Sequence, residues 1–142
     1  MPKDSYSDEL IRTVLTNTKV IAVVGLSNNE TRASHSVTRF LNSRGYRTIG
    51  VNPGLAGKTV ANSPVYATLA EVSEPVDMVD VFRNSEDAGA AVDEALQMNP
   101  LPKYIWMQLG VYNEAAAARA EAKGVAVIMN RCPAIEIPRV MR

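Results

Sequence analysis

The stretch Lys19-Val20-Ile21-Ala22-Val23-Val24-Gly25-Leu26-Ser27-Asn28 decides the fold. Val20–Val24 is apolar throughout and mostly β-branched, the pattern of a strand buried on both faces. It runs directly into Gly25 and a polar loop from Leu26 to Ala33. A stretch of helical period follows over Ser34–Arg44, with Val37, Phe40 and Leu41 on one face and Gly45 placed for the left-handed turn after a helix. A doubly buried strand that turns through glycine into an amphipathic helix is the opening unit of a parallel sheet covered by helices.

The same alternation continues along the chain. Further strands are expected at Thr48–Val51, Met78–Phe82, Tyr104–Met107 and Val125–Met129, with a short sixth at Val65–Tyr66. Helices are expected at Ser85–Met98, with Ser85 as cap, at the alanine-rich Asn113–Lys123, and ahead of the first strand at Ser7–Asn17. The fold class is α/β, a Rossmann-like doubly wound parallel sheet of five or six strands with helices on both faces and strand order near 3-2-1-4-5. No linker, charge block or repeat divides the 142 residues, so a single domain is expected over 1–142, with the leading helix at 7–17 and the core at 19–135.

Composition narrows the function. Hydrophobic residues make up 46%, enough for a sizeable core. The 15 Lys and Arg balance the 15 Asp and Glu, which argues against a nucleic-acid or anionic-membrane partner. The apolar runs fall far short of the ~20 residues that span a bilayer, and MPKDSYSDEL has no apolar centre of a signal peptide. The lone cysteine, Cys132, excludes an intrachain disulfide and a multi-thiolate metal site. A cytoplasmic protein with a small-molecule ligand is expected.

In a doubly wound sheet ligands sit at the carboxyl ends of the strands, where the strand order reverses. The residues after each strand are Gly25-Leu26-Ser27-Asn28, Asn52-Pro53-Gly54, Arg83-Asn84-Ser85, Gln108-Leu109-Gly110 and Asn130-Arg131-Cys132. The first loop has the geometry in which backbone amides and a helix N-terminus meet a phosphate, with Ser27, Thr31, Ser34 and Arg32 as further donors. An ordinary capped turn is the alternative reading. The dinucleotide fingerprint G-x-G-x-x-G is absent, because Ser27 and Glu30 stand at the second and third glycine positions. No acid follows Val51 to bind a ribose, which also speaks against NAD. Asn52 to Thr59, NPGLAGKT, imitates a phosphate loop, but Val60-Ala61-Asn62-Ser63-Pro64 breaks any helix after Lys58.

Five segments in order, from Ile21–Ser27 through Arg32-Ala33-Ser34, Val51-Asn52-Pro53, Asp77–Arg83, Trp106–Gly110 and Met129–Cys132, resemble the small stand-alone CoA-binding proteins of bacteria and archaea. Those proteins are similar to the nucleotide-binding domain of the succinyl-CoA synthetase alpha subunit. The resemblance implies a Rossmann-type domain holding coenzyme A or an acyl-CoA across the sheet rim. It implies contacts from Gly25, Ser27, Asn28, Arg32 and Ser34, from Asn52 and Pro53, from Val81, Phe82 and Arg83, and from Gln108, Leu109 and Gly110. Two positions depart from the family's pattern: Leu55 stands where a lysine tends to follow Pro-Gly, leaving Lys58 as substitute, and Asn130 stands where Asp usually precedes Arg-Cys. An apolar slot for adenine is expected from Val51, Pro53, Val81 and Phe82.

Among the other reactive residues, the lone His35 is expected to cap or face solvent, since no nucleophile or orienting carboxylate is nominated beside it. Cys132 is expected as a buried inert side chain, with contact to the CoA thiol as the functional alternative. Trp106 and Met107 read as core, and Asp77 and Asp80 as capping or pairing groups. The expected function is non-catalytic binding of CoA or an acyl-CoA with a sensing or carrier role, without autonomous enzymatic activity. The competing reading is an NAD(P)-binding subunit or fragment of an oxidoreductase or acyl-CoA ligase that acts with a protein partner.

Overall fold

A computed structural model describes residues 5–141; the first four residues of the stretch read for a signal peptide, and Arg142, lie outside it. Its strands are β1 (Val20–Val24), β2 (Arg47–Val51), β3 (Thr59–Val60), β4 (Ser63–Tyr66), β5 (Met78–Val81), β6 (Tyr104–Met107) and β7 (Ala126–Ile128). Its α-helices are α1 (Asp8–Thr16), α2 (Ala33–Ser43), α3 (Ser85–Ala95), α4 (Glu114–Ala122) and α5 (Pro133–Val140). The strands form one sheet in the order β3-β4-β2-β1-β5-β6-β7. All pairings are parallel except β3 with β4. The order reverses at β1 and β5, and the fold is Rossmann-like α/β.

Strand alternation divides the core in two. Ala22, Val24, Ile49, Val51, Val79 and Val81 pack with Ala88, Val92, Ala116 and Ala120 of α3 and α4. Ile21, Val23, Met78, Trp106 and Ile128 pack with side chains of α1, α2 and α5, among them Ile11, Leu41 and Ile137. Small alanines on α3 and α4 let those helices approach the sheet closely.

The structure adds a helix and a hairpin to the expected elements and moves one helix cap. Beyond β7 a helix forms that is not among those expected, α5, with Pro133 at its first position, where its missing N–H costs nothing. Ile137 and Val140 bury against the rest of the core, which offsets the bond lost at Pro138 inside the helix. The stretch Val60–Pro64, expected to break any helix after Lys58, does so as the β3–β4 hairpin, with Ala61 and Asn62 at its turn both at positive φ (49° and 60°), the geometry of a two-residue hairpin turn. The α3 cap is Asn84 rather than Ser85: its Oδ1 accepts the Asp87 N–H at 2.7 Å.

Candidate functional site

The carboxyl ends of β1, β5 and β6 open into a cleft of about 350 Å³ lined by Gly25, Ser27, Arg32, Ala33, Ser34, Phe82, Arg83, Asn84, Gln108, Leu109 and Val111. Glycine is required at its base. Gly25 has φ +94°, and a Cβ there would lie 2.4 Å from the Phe82 carbonyl oxygen. The first loop and β5 therefore approach at backbone distance.

The first loop is held by its own side chains. Ser34 Oγ accepts the Ser27 N–H at 3.0 Å, Ser27 Oγ accepts the Asn29 N–H at 3.0 Å, and Asn29 Oδ1 accepts the Thr31 N–H at 3.0 Å. Those amides are thus spent on the loop itself. The N–H groups of Ala33 and Ser34, in the first turn of α2, have no acceptor among the described residues. Arg32 caps this helix without a side-chain bond and is exposed, and no acid occupies the first turn. Free amides, a helix dipole and a guanidinium converge at one mouth of the cleft, an arrangement suited to a phosphate.

A second cleft of about 290 Å³, lined by Val24, Val51, Pro53, Ala67, Thr68, Arg83, Asp87 and residues of α3, lies on the β2 side. Arg83 borders both clefts. Asn52 holds the wall between the first two loops: its Nδ2 donates to the Leu26 carbonyl at 2.9 Å and its Oδ1 accepts the Gly54 N–H at 2.9 Å.

The structure thus brings Gly25, Ser27, Arg32, Ser34, Phe82, Arg83 and Leu109 to the first cleft, and Val51, Pro53 and Arg83 to the second. Asn28, Lys58 and Gly110 are exposed and line neither. Val81 has no exposed surface and belongs to the core on the α3 face. Ala33, Asn84 and Val111 line the first cleft without having been singled out in the sequence. Gln108 also lines it; it is 6% exposed, and its Oε1 has no hydrogen-bond partner.

His35 is not at the surface: it is buried in the first turn of α2, and its Nδ1 has no partner. Cys132 is buried and begins α5, where its carbonyl accepts the Ile135 and Glu136 N–H groups at 3.0 Å each. Asp77 caps the start of β1, its Oδ2 accepting from the Lys19 and Val20 N–H groups at 2.9 and 3.0 Å. Asp80 neither caps nor pairs: it is fully buried in β5 with both oxygens unpartnered, and burial pushes its carboxyl well above the usual range. Asn130 takes φ +58°, which Asn tolerates, and its Oδ1 accepts the Gly110 N–H at 2.7 Å, tying the end of β7 to the rim. No cluster of metal-ligating side chains is present among the described residues. Nor is any described helix long and apolar enough to cross a membrane.

Comparison with known proteins places this geometry among relatives. The family described as "CoA binding domain" matches residues 19–138. The uncharacterized protein YneT of Bacillus subtilis (strain 168) is 36% identical over 122 residues, covering 86% of this chain and 87% of that protein. A hypothetical protein from Pyrococcus horikoshii OT3 superposes with a TM-score of 0.91 at 30% identity, over 100% of this chain and 97% of that one. The Thermus thermophilus structure called cell-free ID.343 gives 0.89 at 31% identity, over 96% and 100%.

Proposed function

The chain belongs to the CoA-binding domain family, and on that premise we propose that it binds coenzyme A or an acyl-CoA along the rim from β2 to β6, as a carrier or sensor without chemistry of its own. The observation that carries this is the first cleft: two unspent amides at the start of α2, flanked by Arg32 and Arg83, beside an apolar wall from Phe82, Leu109 and Val111. CoA has the matching chemistry, a diphosphate for the amides and cations and a long arm for the wall. The cleft on the β2 side, with Val51 and Pro53, suits the adenine.

Two features favour binding over the alternatives. No histidine, cysteine or carboxylate lines the first cleft, so no nucleophile–base pair faces the ligand there. Where an NAD site carries an acid after the second strand, Asn52 stands with its side chain committed to Leu26 and Gly54. A lone buried cysteine suits the reducing cytoplasm.

The test is thermal unfolding with CoA and, separately, with NAD at equal concentration. A ligand present at 100 times its Kd adds about 2.7 kcal/mol to the native state. CoA is expected to raise the midpoint by several degrees and NAD to leave it in place; equal shifts, or none with CoA, overturn the assignment.

A further inference from the structure

We propose that Gln108 reads an amide of the ligand's pantetheine arm and so selects CoA over a nucleotide that lacks the arm. The proposal rests on the CoA reading above and deepens it. Gln108 follows β6, and its N–H donates to the Val81 carbonyl at 3.3 Å, continuing the ladder with β5. The side chain is more than nine-tenths buried and lines the cleft, yet its Oε1 meets no donor.

A buried carboxamide oxygen without a partner is costly to leave unsatisfied, so such a group in a ligand cleft points to a donor that arrives with the ligand. A phosphate oxygen cannot be that donor, because it only accepts. A secondary amide offers both an N–H and a C=O, and a carboxamide side chain can turn either of its ends toward it. The pantetheine arm carries two such amides.

Position favours the arm over adenine. The diphosphate of a doubly wound site lies at the first loop, with the two halves of the ligand stretching to opposite sides of the order reversal. Val51 and Pro53 form a slot on the β2 side, whereas Gln108 stands on the far side, on β6, next to the exposed Leu109. One rung back on β5, on the same face by strand alternation, the buried Asp80 is also without a hydrogen-bond partner. Neither Asp80 oxygen makes a hydrogen bond, so this carboxyl does not partner the Gln108 side chain.

The experiment is calorimetric titration of the wild type and Gln108→Leu with CoA and with adenosine 3′,5′-bisphosphate, which has the nucleotide but no arm. Loss of one hydrogen bond predicts a fivefold to tenfold weaker CoA affinity, at about 1.4 kcal/mol per tenfold, with the bisphosphate affinity held within about twofold. An equal loss for both ligands, or unchanged CoA affinity, overturns the role of Gln108 while leaving CoA binding intact. A wild type that binds neither ligand overturns the CoA reading and the inference with it. Should Gln108→Leu misfold, Gln108→Met, of similar length and flexibility, makes the same comparison.

Discussion

Ser34 Oγ accepts the backbone N–H of Ser27 at 3.0 Å, so the second residue of α2 pins the entrance of the loop that leads into it. Ser34 is buried, and its own N–H is unspent. One residue thus does two things: its side chain fixes the loop and its backbone faces the cleft. The loop is shaped before any ligand arrives, which lowers the ordering cost of binding.

Ser34→Ala removes that acceptor and leaves the Ser27 N–H without its partner. The expected cost is about 1 kcal/mol of stability, read from the urea midpoint, together with weaker CoA binding from a looser loop. Ser36→Ala is the control. Its exposed hydroxyl bonds only to Ala33 within the same helix, and a change within about 0.5 kcal/mol is expected with unaltered affinity.

Much of the fold is legible because local rules and burial agree. Val20–Val24 runs apolar because both faces are covered, and Gly45, at φ +93°, follows α2 as its turn requires. The hairpin at Ala61–Asn62 is illegible because neither residue is glycine, the usual mark of two positive φ angles in succession. Helix α5 is hidden by its two prolines, which as letters read as breakers; burial of Ile137 and Val140 overrides them. At the site, Val81 and Phe82 look equally suited to a ligand, since a doubly buried strand gives no alternation from which to tell the core-facing side chain from the cleft-facing one. The usable signal for Asp80 and Gln108 is a polar residue in or just after an otherwise apolar strand. Such a residue must find a partner, and for these two the protein supplies none.

Arg32 and Arg119 separate a ligand contact from a general charge effect. Arg32 borders the cleft at the start of α2 and has no acid beside it in that turn. Arg119 lies on α4, with Nε 2.8 Å from Asp93 Oδ1. Arg32→Ala is expected to weaken CoA binding about fivefold to tenfold and to flatten its salt dependence, as loss of one charge-assisted bond to a phosphate requires. Arg119→Ala is expected to change neither. Titrations at two ionic strengths make the comparison, and equal affinities for the two variants contradict the placement of the phosphate.

Asp80 gives stability a pH dependence whose sign is fixed. Its folded pKa is raised by burial, with no partner to lower it. Between the ordinary carboxyl value of about 4 and the raised folded value, the native state holds a proton that the unfolded chain has released. Its stability contribution is therefore complete at low pH and is lost as pH rises through that window. A single linked proton corresponds to a slope of about 1.4 kcal/mol per pH unit. Asp80→Asn cannot ionise and removes this slope, whatever its constant cost as a buried amide. Urea unfolding at intervals from pH 5 to pH 8 is expected to show the wild type falling relative to the variant as pH rises. Parallel curves would mean that Asp80 is ionised in the native state, and that a buried charge on β5 has found a partner.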